Sequence, residues 1–343
     1  MPVTLSFPEA ADLRAIEQEK LPYLLMNDPG FKHFPMEDVP KAHIIWEQKD
    51  NYVGLMAARG VNESFSAVQR VGINRFQAEP GRYGSYIDLT EKDFESIRAQ
   101  GTWGVVMPLD DLVYSAQDQL LNLRLDRQRQ VIWTLLSAGI FSVMGPQGQT
   151  LHRDQFNFQT ATAAVVWSTV ATATPLVDFR AIALKGRGKG VNFGANATAY
   201  MNRKTNNYLL NNTNASDIFG KRIENGATIN SKSDLDQVLL ANDLPTVVVY
   251  DDGYIDENGT YQPFVPDGKV VIVGTRLNNA QLGIFAQTIN ANNPDMAPGP
   301  YTAVYDSANN QGSGGTARRV RVVDGVNGGP AVWYPGAVVI LSC

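Results

Sequence analysis

The chain has 343 residues, 44% of them hydrophobic, and a formal net charge of −5. Length and composition permit a sizeable core in one large or two smaller units. The acidic balance argues against a protein that coats nucleic acid through a cationic face, and the single cysteine, Cys343, excludes an intrachain disulfide or a cysteine-built metal cluster.

Charged residues make up only 18%, below the usual ~25%, and there are 30 glycines. That combination points to much loop and β-structure, and to a surface partly covered by neighbours. No run reaches the ~18 apolar residues of a membrane span, and MPVTLSFPEA lacks the basic and apolar regions of a signal peptide.

Residues 1 to 45 read as an arm. Pro8 with Glu9 and Asp12 opens a short helix to about Lys20, and Pro22, Pro29, Pro35 and Pro40 then favour extended backbone. Such a segment buries too little to fold alone and is expected to lie along the rest of the chain or a neighbour. From Ile44 to about Tyr86 comes a long excursion, with β-like runs at 52–58 and 65–76, a tip from Glu79 to Gly84, and a returning SYIDL. A hairpin of that kind is marginal alone and needs a partner surface. Thr90 caps a short helix to about Ala99, with Asp93 at the capping-box position.

The longest element is a helix from Leu109 to Gly139. Asp110 and Asp111 sit at its positive end, and Gly139 reads as its stop. At 1.5 Å per residue its length is roughly 40 Å. Val113, Ala116, Leu120, Leu123, Val131 and Leu135 recur at helical spacing and predict the buried stripe. Asp126 to Gln130 is polar all round, so this waist is expected to be exposed, while the flanking leucines and valines hold the strands behind it.

Next comes a hairpin, IFSVMG and TLHRDQ, turning through Pro146-Gln147-Gly148. Thr174-Pro175 starts a helix to about Gly186. Residues 191–194 read as extended, Asn196 as the cap of a helix to about Leu210, and Ser233 to Ala241 as a further helix. TVVVYD (246–251) and KVVIVG (269–274) read as the arms of a hairpin with turns at Asn258-Gly259 and Pro266-Asp267-Gly268. Residues 290–315 read as loop. Two terminal strands follow, at 317–324 and 331–341, divided by a Gly-rich turn. The first puts Arg319 and Arg321 on one face and Val320 and Val322 on the other.

Chemistry-bearing patterns are sparse. His33, His43 and His152 form no metal-binding spacing, and there is no GxSxG elbow. The KGRGKG run at 185–190 lacks the Walker spacing and is expected to offset the dipole at a helix C-terminus. Asp251, Asp252, Asp256 and Glu257 ring a hairpin tip without the EF-hand pattern. These residues predict no catalytic, cofactor or metal site.

The order of parts is more informative. The proline-bearing arm, the excursion, the long helix ending LLSAG, a strand ending Phe156-Asn157-Phe158, Trp167, and TPLVDFR at 174–180 all follow in sequence, with the 247–274 hairpin after them. In that order they resemble the lambda-type major capsid proteins (the protein E family) of tailed bacteriophages, which have the Hong Kong 97 capsid fold. The resemblance implies an α+β fold with an N-terminal arm (1–50), an extended E-loop (51–90), a peripheral domain (91–185) built on a spine helix (110–139), an axial domain (186–315) and C-terminal strands (316–343) returning to the peripheral domain.

It also implies a non-enzymatic structural subunit that assembles itself as hexamers and pentamers into an icosahedral shell around double-stranded DNA, without sequence-specific binding, cofactor or membrane. Scaffolding protein, portal and decoration protein are the implied partners. The implied location is the virion capsid, assembled in the host bacterial cytoplasm. The waist would face the shell interior or a scaffold. Subunit-interface candidates on the excursion are Arg59, Glu63, Arg70, Arg75, Glu79 and Arg82. Two other readings stand beside this one: an encapsulin-type compartment shell, and a phage-borne carbohydrate-binding or hydrolytic protein using Asp251 and Asp256 as a carboxylate pair.

Some capsids of this fold join an E-loop lysine to an asparagine. Asp50 to Glu91 contains no lysine. This shell is therefore expected to have no crosslink from the loop, and a covalent ladder from mature particles on a denaturing gel would contradict that expectation.

Overall fold

In the computed structural model the described residues are 10–26, 28–49, 55–56, 58, 61, 64, 72–90, 92–93, 108–145, 149–213, 232–256, 258–276, 281–307 and 319–343. The chain is organised by helix α3 (Leu109–Ala138). Its 30 residues hold no Gly or Pro, and it stops where Gly139 turns left-handed at φ 70°. Two five-stranded sheets pack against it.

The arm contains α1 (Ala10–Leu25), α2 (Pro29–His33) and β1 (Met36–Asp38). It is more regular than the prolines predict. Pro22 is accommodated inside α1, and Pro29 sits in the first turn of α2, where it costs no hydrogen bond. The arm lies on its own chain: Leu13, Phe31 and Phe34 are buried. Strand β2 (Ile44–Lys49) pairs antiparallel with β3 (Ile73–Ala78), and β4 (Gly81–Thr90) follows after the Glu79-Pro80 tip. Thus β4 does not fold back on β3 but pairs with β15, and Ile73 is exposed. Asp93 accepts from the Thr90 amide and hydroxyl, both at 2.8 Å, while the rest of the short helix expected there lies outside the described residues.

After α3 come the hairpin β5 (Ile140–Met144) and β6 (Thr150–Gln155), then β7 (Gln159–Thr162), α4 (Pro175–Leu184), β8 (Thr198–Met201), α5 (Arg203–Leu210) and α6 (Lys232–Ala241). The helix expected from Asn196 is wrong at its start. Ala199, Tyr200 and Met201 are buried on a central strand. The cap is Asn202, whose side chain accepts from the Thr205 amide at 2.8 Å.

The remaining strands are β9 (Thr246–Val249), β10 (Gly253–Ile255), β11 (Tyr261–Pro263), β12 (Lys269–Val273), β13 (Gly283–Gln287), β14 (Tyr301–Asp306), β15 (Arg319–Val332) and β16 (Val338–Ser342). One sheet runs β7-β16-β12-β8-β9. The expected β9–β12 hairpin is therefore corrected: β8 lies between them, and only the small β10–β11 hairpin turns through Asn258-Gly259.

The other sheet runs β1-β13-β15-β14, with β4 also paired to β15. Two expectations fail here. Part of the 290–315 loop is β14, whose YTAVYD alternates. The Gly-rich stretch at 325–329 is not a turn but the interior of a 14-residue strand. Close approach explains those glycines: a Cβ on Gly328 would stand 2.6 Å from the Ala286 carbonyl oxygen, and one on Gly329 2.7 Å from Phe141. β15 and β16 also part company, because β16 joins the first sheet, between β12 and β7.

Three apolar clusters fill the molecule. One lies between the C-terminal half of α3, the arm and both sheets. A second lies under α4, α5 and α6. The third joins Leu13 of α1 to the N-terminal half of α3, β4 and β15.

Candidate assembly surfaces

The waist of α3 is a lock, not a solvent-facing band. The buried stripe runs Val113, Gln117, Leu120, Arg124, Gln128, Val131, Leu135, in steps of three and four. Leu123, expected on it, is one step off and 58% exposed. Arg124 is buried and donates through Nη1 to both carboxylate oxygens of Asp324 on β15, at 2.8 and 2.9 Å, and through Nη2 to Glu17 on α1. Burial pushes the Asp324 carboxyl up to about 6; Arg124 opposes that shift and Glu17 adds to it.

One turn on, Arg129 is half-buried. It donates through Nε to Asp28 at 2.6 Å and through Nη1 to Asp126 at 2.9 Å. Asp28 also accepts from the Gly30 amide, capping α2, and from the Tyr250 hydroxyl at 3.2 Å. Gln128 is fully buried, and neither polar atom of its side chain has a hydrogen-bond partner among the described residues. Arg127 is exposed, as expected. The expectation that the whole waist faces a shell interior or scaffold is thus corrected: the chain's own arm covers much of it. The signal was in the sequence, because an arginine and a glutamine at stripe spacing are buried whatever their polarity.

The interface candidates divide. Arg59, Glu63 and Arg70 lie outside the described residues. Arg75 and Arg82 are exposed, and neither side chain has a partner among the described residues. Glu79 is exposed and stands 3.8 Å from His43 Nδ1. Between β2 and β3, Leu55, Met56 and Val61 are 97%, 95% and 94% exposed.

A second bare surface is the face of β4, β15 and β14 turned away from α3. Val320 and Val322 point to the helix, and Arg319, Arg321 and Val323 point the other way, as the alternation predicts. Arg321 forks onto Asp88 at 2.6 and 2.8 Å with its guanidinium 4.0 Å over the Tyr86 ring. That hydrogen bonding holds Asp88 below the usual carboxylate range. Tyr86 and Tyr305 are more than half exposed, and with these residues they line a shallow groove of about 800 Å³.

Nothing catalytic is assembled among the described residues. His33 is buried against the Tyr200 hydroxyl at 2.9 Å, and His152 pairs with Asp154. Asp251 pairs with Arg203, while Asp256 accepts from its own turn at Asn258 and Thr260, so the two do not converge as an acid pair. Burial pushes the Cys343 thiol up to about 12. No group of metal-binding side chains occurs among the described residues, and no described helix is long and apolar enough to cross a membrane.

The model of the family described as phage major capsid protein E matches residues 11–294. No curated protein matches the chain. Several solved structures share its fold. A putative prophage capsid protein of E. coli CFT073 is 13% identical, with a TM-score of 0.54, over 95% of this chain and 98% of that one. A phage-related protein of Bordetella bronchiseptica RB50 is 11% identical, TM-score 0.54, over 98% of each chain. The capsid of a native GTA particle is 10% identical, TM-score 0.52, over 92% of this chain and 90% of that one.

Proposed function

The chain belongs to the phage major capsid protein E family and is a structural capsid subunit; from that premise we propose that it assembles as hexamers and pentamers into an icosahedral shell around the double-stranded DNA of a tailed phage. The observation that carries the proposal is the excursion between β2 and β4. Leu55, Met56 and Val61 are almost wholly exposed there. A lone subunit would leave that apolar surface in water, whereas a neighbour's surface would cover it. In this reading residues 51–90 are the E-loop, 91–185 the peripheral domain and 186–315 the axial domain. Strand β16 is shared with the axial sheet.

A scaffolding protein, a portal and assembly in the host cytoplasm belong to the proposal as well. The acidic chain suits a wall that encloses DNA without gripping it. Negative-stain electron microscopy of the purified protein tests the reading: closed shells, or hexamers and pentamers, support it, and a uniform monomer opposes it. Nucleic acid inside the particles separates a genome shell from a compartment that holds a cargo enzyme.

The exposed arginines give a second test. A single exposed ion pair contributes only about 0.2–1 kcal/mol, but a shell repeats each contact in every subunit. Arg75→Ala and Arg82→Ala should therefore leave assembly intact and lower the heat stability of the particles, read by scanning calorimetry. Wild-type melting in both variants would remove these arginines from the interface.

A further inference from the structure

We infer, resting on the shell reading, that neighbouring subunits in a ring are clamped by opposite charges: Arg187 and Lys189 of one copy against the acidic hairpin around Asp252 of the next. The basic loop follows α4. Lys185 is used within the chain, donating to the Thr160 carbonyl of β7 at 2.9 Å. Arg187 and Lys189 are exposed, and neither side chain has a partner among the described residues. Gly188 and Gly190 take positive φ, and a Cβ on either would meet nothing within 4 Å, so the loop is open to solvent at these two positions.

The hairpin β10–β11 carries Asp251, Asp252 and Asp256. Asp251 is held by Arg203 and Asp256 by its own turn, but Asp252 is exposed with no side-chain partner among the described residues. Its field is nonetheless felt, since it helps hold the Tyr261 hydroxyl up, after burial and alongside Asp251.

Position makes the pair informative. The loop sits on the β7 edge, at the end where β7 and β16 begin. The hairpin leaves β9, the opposite edge, at the end where β8 and β9 finish; β12 runs antiparallel to both β16 and β8. The two patches therefore lie at diagonal corners of one sheet. Four inter-strand steps and a strand length separate them by roughly 25 Å, more than two Debye lengths at physiological salt. They cannot pair within one chain. A closed ring of identical subunits needs a heterologous contact, in which two different patches of each chain meet. Opposite charges at opposite corners supply one.

The test is a charge swap read by the protein concentration at which half of the subunits assemble. Arg187→Glu, Lys189→Glu and Asp252→Lys should each raise that concentration about tenfold or more, because like charges then face each other across the contact. Each is exposed, so the subunit's own melting temperature should not move. Combining Asp252→Lys with Arg187→Glu or with Lys189→Glu should recover most of the loss. Single variants that assemble like wild type overturn the inference. So do losses that neither combination recovers, which would assign the basic loop to phosphate groups or another partner. Absence of any assembly by the wild-type chain would count instead against the shell reading itself.

Discussion

Arg124→Ala is expected to destabilise the folded chain by about 3–5 kcal/mol, because it strands two buried carboxylates. Glu17 and Asp324 are each at most 3% exposed, and both depend on that guanidinium. Arg124 also joins three elements distant in sequence: α1, α3 and β15. Its loss should free the arm as well as weaken the core. The cost belongs to breaking the cluster, not to its net worth. Replacing all three residues with apolar ones of similar size should recover most of the stability.

The same cluster sets a pH dependence. The Asp324 carboxyl is raised in the folded state from 3.8 to about 6. The folded chain thus keeps a proton that the unfolded chain releases between those values. Stability from this group is fully present below 3.8 and is lost as pH rises through about 6. Asp324→Asn should flatten that slope. In Arg124→Ala the opposing cation is gone, so the carboxyl rises further and the penalty should be larger at pH 8 than at pH 5. Urea unfolding at the two pH values measures it, and equal losses would show that Arg124 does not compensate these carboxylates.

What could be read from the residues follows a physical divide. The long helix was legible because propensity, an acidic first turn and a glycine stop agree over 30 residues. The hairpin after it and the α4 start at Thr174-Pro175, with Pro175 in the first turn, were legible from equally local signals. Failures cluster where tertiary contact overrides local chemistry. Gly325 to Gly329 reads as a turn, yet it is strand because it pairs with β4 and β13, and glycine stands at 328 and 329 because Ala286 and Phe141 leave no room for a Cβ. TVVVYD and KVVIVG read as hairpin partners, yet β8 from earlier in the chain inserts between them. Leu123 is apolar but lies out of phase with the buried stripe, which takes Arg124 instead, and phase decides burial over residue type. The charged candidates on the excursion were found by type alone. A single subunit shows Arg75, Glu79 and Arg82 exposed, and what they meet belongs to the assembly.

Trp133→Ala should be as damaging as the loss of Arg124, through packing instead of charge. Trp133 is fully buried, stacked on Tyr250 at 4.5 Å and edge-on to Tyr200 at 5.4 Å. It stands where α3, the arm and the sheet containing β8 and β9 meet, against Gly30 of α2. Truncation of so large a buried ring costs about 3–5 kcal/mol, and more when the site cannot collapse. This site is held open. The Tyr250 hydroxyl is tied to Asp28, which is itself fixed by Arg129, and Tyr200 lies on central strand β8 and meets His33. None of these rings is free to swing into the void, so the upper end of that range is expected. Trp133→Phe should keep the stacking and lose much less. A local readout separates this from general weakening: α2 rests on the ring, and exposed Lys32 lies within α2. Trypsin cleavage after Lys32 should accelerate in Trp133→Ala under conditions where the whole chain is still folded. An unfolding free energy in urea lowered by less than about 1 kcal/mol, with unchanged cleavage at Lys32, would mean that the arm is held by its ion pairs alone.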